Sequence, residues 1–136
     1  MLIVVDTNVI VSALLNPFGK PAAVLGLVLE EKIEICFDSR IIAEYREVLT
    51  RPRFGFDKSE VTTVLNYLTE IGKCVVAVPH NVRLKDPDDM PFAEVALSAA
   101  ADCLVTGNTG HFPARIGSTI TVTPARFLLR YFSQHK

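Results

Sequence analysis

The sequence predicts an α/β fold built on a central, mostly parallel sheet. Short, wholly apolar runs rich in β-branched residues, such as 2–5, are typical of strands that are buried on both faces. These runs alternate with longer stretches whose apolar residues recur at helical spacing, and the alternation indicates βαβ units. The length of 136 residues corresponds to one domain, so we expect a single domain over residues 1–136.

Five strands are expected from these apolar runs. Several of them end at a residue that favours a loop: Asp6 follows the first, Pro79 follows the third and Pro124 follows the fifth. The predicted strands are 2–5, 33–37, 74–78, 102–106 and 120–123.

Helices are expected in the intervals between the strands. Their limits carry capping and breaking signals: Pro21 begins the second helix, Asp38 caps the third, Pro52 ends the third and Gly72 ends the fourth. The predicted helices are 9–15, 21–31, 39–50, 57–71 and 89–101, with a last helix from residue 124.

Composition excludes several classes of protein. Hydrophobic residues make up 49% of the chain and charged residues 21%, with 7 glycines and 8 prolines, which excludes disordered and collagen-like chains. No apolar run reaches the ~20 residues of a membrane span, and no basic leader precedes the first strand. Cys36, Cys74 and Cys103 lie in separate apolar stretches, so we expect three buried, reduced thiols in a cytoplasmic protein.

Charge is distributed unevenly although the net charge is only −1. Beyond position 102 there is no Asp or Glu, while Arg115, Arg126, Arg130 and Lys136 each add a positive charge. A basic region beside the acidic run 86–89 suits a site that holds a metal ion and a polyanion together. A solvated helix face would explain the basic residues equally well.

Three acidic residues are candidates for a site at one edge of the sheet. Ligands of open α/β sheets bind beyond the carboxyl ends of the strands, and Asp6 directly follows the first strand. On helix 39–50, Glu44 falls at the margin of the apolar stripe, whereas Glu47 points to solvent. Asp89 begins the next-to-last helix. The structural alternatives are N-caps for Asp6 and for Asp88 or Asp89, and an ordinary solvated side chain for Glu44.

The residue types favour a hard metal ion. An acid at the end of a buried strand costs desolvation energy unless it is paired or metal-bound, and the three acids within 86–89 repel one another unless a cation lies among them. Carboxylates without histidine or cysteine partners favour Mg²⁺ or Mn²⁺ over zinc. Nucleotide-binding glycine motifs and the GxSxG motif are absent, and the three histidines share no ligand spacing.

Four blocks of the sequence resemble the PIN-domain ribonucleases. They are VVDTNVIVSALL at 4–15, an acid in the helix after the second strand, DPDDMPFAEVALSAAADCLVTGN at 86–108, and the HF that follows. Taken in order, they are most similar to the branch that contains toxin components of toxin–antitoxin systems, relatives of the VapC toxins. The resemblance implies a three-layer fold, with a five-stranded parallel sheet of order 3-2-1-4-5 between helices.

The resemblance also implies a cluster of acids that binds Mg²⁺ or Mn²⁺ and cleaves single-stranded RNA. Matched position by position, the acids are Asp6, Glu44 and Asp89. The fourth position is often Asp in relatives and is Asn108 here, which carries no charge, and Asp88 is expected to compensate in part. Three further residues match polar positions that orient the carboxylates: Thr7, Asn8 and Thr106.

The sequence therefore predicts a metal-dependent endoribonuclease in which a metal-activated water attacks the phosphodiester. The residues expected to hold the RNA backbone are Arg115, Arg126 and Arg130. The alternative is a catalytically weak PIN-like module that binds RNA or a protein, which Asn108 favours. Expected partners are RNA, an antitoxin and a second copy of the chain, with Phe54 or Phe56, as exposed aromatics, at or near the dimer contact.

Overall fold

A computed structural model describes residues 1–135, and within that range the chain forms six strands and six α-helices. The strands are Leu2–Val5 (β1), Glu34–Phe37 (β2), Lys73–Cys74 (β3), Cys103–Val105 (β4), Arg115–Ile116 (β5) and Thr119–Val122 (β6). The α-helices are Thr7–Leu15 (α1), Lys20–Leu29 (α2), Ser39–Leu49 (α3), Lys58–Ile71 (α4), Met90–Ala99 (α5) and Pro124–Gln134 (α6). Short 3₁₀ turns lie at Pro52–Phe54, Pro87–Asp89 and Thr109–His111.

The strands form one sheet in the order β3-β2-β1-β4-β6-β5. All neighbouring pairs are parallel except β5 and β6, which form an antiparallel hairpin. The three-layer fold with a mostly parallel sheet flanked by helices is confirmed, with β6 as the fifth parallel strand. The hairpin strand β5 is an addition; its turn contains Gly117 at φ 60°, and a Cβ there would stand 2.5 Å from the Leu97 side chain.

The third strand is much shorter than the sequence predicts. β3 pairs with β2 only through Lys73 and Cys74, and the chain then leaves the sheet, so that Val76 is 92% exposed. The peptide N–H of Val78 donates to the Ser98 hydroxyl of α5 at 3.0 Å instead of to a strand. The prediction of a strand over 74–78 is therefore wrong beyond its first residue.

The edge position of β3 also corrects the prediction for the cysteines. Cys36 on β2 and Cys103 on β4 are buried as expected, because their strands lie inside the sheet. Cys74 is exposed, because β3 is an edge strand with neighbours on one side only. Burial raises the pKa of the Cys36 thiol to about 12, as expected for an inert core cysteine.

The carboxyl ends of β1 and β4 meet at the centre of the sheet. Val5 is in register with Val105, and the peptide N–H of Asp6 donates to the Val105 carbonyl at 2.9 Å. On the neighbouring side, the buried Tyr45 hydroxyl of α3 donates to the Val5 carbonyl. These bonds fix α3 and the start of the β4 loop against the end of β1, where Asp6 begins the candidate site.

Among residues 1–135, no single helix is long and apolar enough to cross a membrane. Helices α1 and α2 reach the required length and apolarity only as a pair, and they are bent by 102° relative to each other. The bend falls at the helix stop expected from the sequence, where the Asn16 side chain accepts a hydrogen bond from the Phe18 peptide N–H at 3.1 Å.

The aromatic pair between α3 and α4 is not an exposed patch. The rings of Phe54 and Phe56 stack with centroids 5.8 Å apart, and both side chains are half-buried against the core. The guanidinium of Arg53 lies 4.7 Å from the centroid of the Phe54 ring. The expectation of two exposed aromatics is therefore wrong. Large apolar side chains are exposed elsewhere, including Leu15, Phe18, Val76, Leu129 and Phe132.

Candidate active site

Asp6 is a buried acid at the end of β1. Its side chain is 7% exposed, and Oδ2 accepts a hydrogen bond from the Thr106 hydroxyl at 2.7 Å. The carboxylate does not cap α1, although Asp6 occupies the N-cap position. Burial raises the pKa of Asp6, the Thr106 bond offsets part of this effect, and the negative charge of Asp89 adds to it.

Glu44 reaches the same end of the sheet from α3. It is half-buried and accepts a hydrogen bond from the Thr7 hydroxyl at the start of α1. Burial raises the pKa of Glu44, and the charges of Asp6 and Asp88 raise it further, against the effect of the Thr7 bond. Glu47, on the same helix, is exposed, as the helical spacing predicts, and it pairs with Arg51.

Asp89 is the third acid and ends the 3₁₀ turn before α5. The alternative of a side-chain cap by Asp88 or Asp89 is wrong: Asp89 occupies the N-cap position of α5, but neither carboxylate caps the helix. Instead, Asp86 accepts a bond from the Asp88 peptide N–H at 2.9 Å. The Asp89 Oδ2 atom is buried and has no hydrogen-bond partner within residues 1–135. The imidazole Nδ1 of His111 lies 3.4 Å from this oxygen.

These three residues, Asp6, Glu44 and Asp89, are referred to below as the acid site. Each raises the pKa of another: Asp89 acts on Asp6, Asp6 on Glu44, and Glu44 on Asp89. Burial is the largest cause of the raised pKa in each case. Within the described chain no lysine or arginine forms an ion pair with any of them, so their negative charge is uncompensated apart from the His111 contact.

The donor chemistry of the acid site fits a hard divalent ion, although the ligands are not gathered around one point. Within residues 1–135 no three side chains of the metal-ligating types lie close enough together to hold one ion as they stand. Glu44 accepts a hydrogen bond from the Thr7 hydroxyl, and Asp6 accepts one from the Thr106 hydroxyl. Asp89 Oδ2 is a buried carboxylate oxygen that accepts no hydrogen bond within residues 1–135. Such oxygens suit Mg²⁺ or Mn²⁺, and an ion shared by all three acids would require side-chain movement.

The loop after β4 is tied to the acid site by polar side chains. Thr106 donates to Asp6 and accepts from the Asn108 peptide N–H at 3.0 Å. Asn8 Oδ1 accepts from the Gly107 peptide N–H at 3.0 Å. Asn108 itself is exposed, as is Asp88 on the opposite turn. Thr106 and Asn8 thus orient the loop and one carboxylate together.

Two of the three candidate arginines share a groove. Arg126 and Arg130 of α6 are exposed and line a surface groove of ≈ 720 Å³ along β6. A second depression of ≈ 370 Å³ shares Arg126 and includes Thr109, so the groove continues to the loop that carries His111. Arg115 lies on the edge strand β5, at the far side of the hairpin.

A second group of charged residues lies beside the acid site and was not singled out from the sequence. Asp38 follows β2 as Asp6 follows β1, and its Oδ2 accepts from Nε and Nη2 of Arg40, each at 2.8 Å. Arg40 Nη1 also bonds Glu94 Oε1 of α5 at 2.9 Å. Glu94 Oε2 accepts from the His80 peptide N–H at 3.3 Å. Asp38, Arg40 and Glu94 are referred to below as the arginine-paired cluster.

Sequence signals for the overlooked residues are unequal. Glu94 is an acid on an otherwise apolar helix, and a buried acid requires a cation, which is a signal that sequence reasoning could have used. The contact of His111 with Asp89 joins two loops and carries no spacing signal.

Comparison with known proteins identifies the family. A family model described as PIN domain matches residues 2–110. The chain belongs to the PIN domain family. The uncharacterized protein MJ1680 of Methanocaldococcus jannaschii is 32% identical to this PIN domain over 109 residues, which are 78% of the chain and 70% of that protein.

Solved structures show the same fold at low sequence identity. A chain in the crystal structure of VapBC2 from Rickettsia felis, bound to a DNA fragment from its promoter, matches with a TM-score of 0.56 and 17% identity, covering 90% of this chain and 98% of that one. A chain of VapBC-1 from nontypeable Haemophilus influenzae matches with a TM-score of 0.57 and 19% identity, covering 92% and 99%. At these identities the likeness establishes the fold.

Proposed function

We propose that this PIN domain is a Mg²⁺- or Mn²⁺-dependent endoribonuclease that cleaves single-stranded RNA. The observation that carries the proposal is the acid site: three carboxylates lie at the carboxyl end of the sheet, and each is close enough to another for its charge to raise the pKa of that neighbour. Uncompensated carboxylates in a partly buried site are costly, and a divalent cation would offset that cost.

The residues of the acid site would hold the ion, with Asn108 and Asp88 as secondary contacts. When bound, the ion supplies Lewis-acid chemistry, stabilising negative charge on the scissile phosphate and making water more acidic. The hydroxyls of Thr7 and Thr106 orient two of the carboxylates. Asp6 and Asp89 are suited to accept the proton of the attacking water, because burial raises the pKa of both carboxyls.

The RNA backbone would lie in the groove beside α6. Arg126 and Arg130 line this groove, and the depression that shares Arg126 extends it to the Thr109 turn. Guanidinium groups pair well with phosphate oxygens and fix a strand without reading its sequence. Arg115, on the edge strand, would be an outer contact.

We further propose that the chain is the toxin of a toxin–antitoxin pair in the cytoplasm and that it forms a homodimer. The likeness of its fold to chains of two VapBC structures supports this proposal. Exposed apolar side chains such as Phe18, Leu129 and Phe132 support a protein partner.

A catalytically weak module that binds RNA or a protein is the second candidate function. Asn108 favours it, because the fourth position carries an exposed amide in place of a fourth charge. The absence of three ligands gathered around one point in residues 1–135 favours it as well.

The test is cleavage of labelled single-stranded RNA by the purified protein with Mg²⁺, Mn²⁺ or a chelator. We expect cleavage that requires the ion and is lost in Glu44→Gln. Glu47→Gln is the matched control, since it removes an exposed acid from the same helix and should cleave normally. Metal-induced stabilisation with RNA binding but without cleavage would instead support the second candidate function. If the protein binds neither metal nor RNA, the nuclease proposal and the RNA-binding form of the second candidate are both overturned.

A further inference from the structure

The depression that adjoins the groove beside α6 combines apolar side chains with hydroxyl groups. Its volume of ≈ 370 Å³ is that of a pocket for a small ligand. The aromatic ring of Phe112 and the side chain of Val122 are its buried apolar parts. The rest of the lining consists of Thr109, Ala114, Thr121, Thr123 and Arg126. This depression is referred to below as the threonine pocket.

The hydrogen bonds of two threonines determine what the pocket offers a ligand. The Thr121 hydroxyl donates to the Pro113 carbonyl at 2.7 Å, so its oxygen is left as an acceptor. The Thr123 hydroxyl accepts from the Arg126 peptide N–H at 3.2 Å and keeps its own proton to donate. A ligand that carries a donor beside an acceptor therefore complements these two hydroxyls.

The threonine pocket is tied to the acid site through the sheet. The Val122 carbonyl accepts from the Thr106 peptide N–H at 3.0 Å, and the Thr106 hydroxyl donates to Asp6 at 2.7 Å. Val5, Val105 and Val122 are in register on three adjacent strands. The end of β6 therefore lies two strand spacings, about 10 Å, from the end of β1. One RNA strand can occupy the pocket and reach the acid site at the same time.

The lining of the threonine pocket differs from that of the groove beside α6. Among the described residues, Arg126 is the only charged one that lines the pocket, whereas Arg126 and Arg130 both line the groove. Guanidinium groups favour phosphate oxygens. An unstacked base favours an aromatic or guanidinium surface together with hydrogen-bond partners for its edge. The groove therefore suits the RNA backbone and the pocket suits a base.

We propose that the threonine pocket binds the base of one nucleotide of the RNA strand and so sets a base preference next to the acid site. The inference rests on the proposed function, because it takes single-stranded RNA to be the substrate. Arg126 lines both the groove and the pocket, so it is placed to hold the phosphate of the same nucleotide. The arginines bind every sequence alike, whereas the threonine hydroxyls distinguish one base edge from another.

The experiment binds the whole protein to a random-sequence RNA about ten nucleotides long, with a chelator present so that the strands stay intact. The bound strands are sequenced, and affinities are measured by fluorescence anisotropy. We expect the wild type to enrich one base, or one class of bases, by about 3–10-fold. Thr121→Val should reduce this enrichment, whereas Thr63→Val, on an exposed face of α4, should leave it unchanged.

A second variant fills the threonine pocket without removing a hydrogen bond. Ala114 is exposed and lines the pocket, so Ala114→Leu should abolish the enrichment and lower the RNA affinity by about 3–10-fold. Ala23→Leu is the matched control, because Ala23 is exposed on α2 and does not line the pocket. Arg130→Gln should lower the affinity for all sequences alike and keep the base preference, because Arg130 lines only the groove.

The outcomes separate the pocket from the nuclease. If the wild type enriches no base, or if Ala114→Leu keeps the enrichment, the inference is overturned while the proposed nuclease stands. If the protein binds no RNA either with the chelator or with Mg²⁺, both the inference and the proposed function fail.

Discussion

Two groups of acidic side chains lie at the same end of the sheet and differ in how their charge is balanced. In the arginine-paired cluster, one guanidinium joins two buried carboxylates through bonds of 2.8 and 2.9 Å. In the acid site, the carboxylates receive threonine hydroxyls and one long histidine contact. Each group contains an acid that directly follows a strand: Asp38 follows β2, and Asp6 follows β1.

The difference separates a structural role from a functional one. A buried carboxylate with a guanidinium partner is satisfied, and it joins α3, α5 and the segment near His80. A carboxylate without a cation raises the free energy of the folded state, and its raised pKa records that cost. Such uncompensated groups are typical of sites that bind a cation or move a proton.

The largest expected effect comes from removing a charge from the acid site. Asp6→Asn should lower the rate of RNA cleavage by roughly 10²–10³-fold, because it removes a ligand and a proton acceptor. The same change should raise the melting temperature of the metal-free protein, since it removes a desolvated charge. Single-turnover cleavage and thermal denaturation check the two results.

The matched change in the other group is Asp38→Asn, at the equivalent strand end. It should lower the melting temperature, because Arg40 loses a partner and α3 loses charge from its N-cap, where Asp38 accepts from the Ile41 peptide N–H at 3.0 Å. If both substitutions shift the melting temperature in the same direction, the distinction between the two groups is wrong.

The next effect is on stability alone. Arg40→Ala should reduce the free energy of unfolding by about 2 kcal/mol, below the ~3–5 kcal/mol of a fully buried pair, since the Arg40 side chain is 46% exposed. Urea denaturation measures this loss. Arg51→Ala breaks an exposed pair of similar bond length, between Glu47 of α3 and the turn that follows this helix, and should leave stability nearly unchanged. Equal losses in the two variants would contradict the structural role.

Position in the sheet decides which strands could be predicted from the sequence. β1, β2 and β4 are apolar because both faces are covered, so their pattern and their location agree. The run at 74–78 is equally apolar, yet it lies at an edge, which no local pattern records. The two-residue strand β5 has no run to detect, and only pairing with β6 defines it.

The residues of the candidate site can likewise be divided into those that the local sequence predicts and those whose contacts depend on packing. Asp6 and Glu44 follow from a strand end and from helical spacing, which are local properties of the sequence. The Arg40–Glu94 pair joins positions 54 apart, and the His111–Asp89 contact joins two turns. Such contacts depend on how the elements pack, so the sequence supplied the residues but not their pairing.

A smaller effect is expected from pH. The carboxyls of the acid site have folded pKa values above their unfolded values, which are near 3.8 for Asp and 4.5 for Glu. At pH values above the folded pKa, such groups lower the free energy of unfolding by their full amount. This destabilisation disappears as the pH falls toward the unfolded pKa. The melting temperature of the metal-free protein should therefore be higher by a few degrees at about pH 5 than at about pH 7.5.

Calorimetric melting across this range checks the sign. Saturating Mg²⁺ should abolish the dependence, because the ion compensates the charges, and Asp6→Asn should weaken it. Hydrogen bonds to Ser59 lower the pKa of Asp57, so its carboxylate stabilises the fold at every pH between 5 and 7.5. That contribution is lost only at pH values below the ordinary pKa of an Asp carboxyl. A melting temperature that falls steadily from pH 7.5 to pH 5 would contradict the raised pKa values of the three carboxyls in the folded protein.

The smallest effect should come from adding a charge to the acid site. Asn108→Asp places a fourth carboxylate on the exposed loop whose peptide N–H is bound to Thr106. Because the new side chain is solvated, we expect only about a two- to threefold gain in Mg²⁺ affinity. We also expect a slightly lower melting temperature without metal, because the fourth negative charge adds to the repulsion among the carboxylates. Calorimetric titration and thermal denaturation measure both.

The two expected changes have opposite signs, and this separates electrostatics from damage to the loop. A distorted loop would lower the melting temperature and the Mg²⁺ affinity together. Asn66→Asp, on an exposed face of α4, is the matched control, because it adds the same charge away from the site. If Asn66→Asp raises the Mg²⁺ affinity as much as Asn108→Asp does, the gain reflects net charge alone. The fourth position would then contribute nothing specific to the ion, and an uncharged residue there would cost the site nothing.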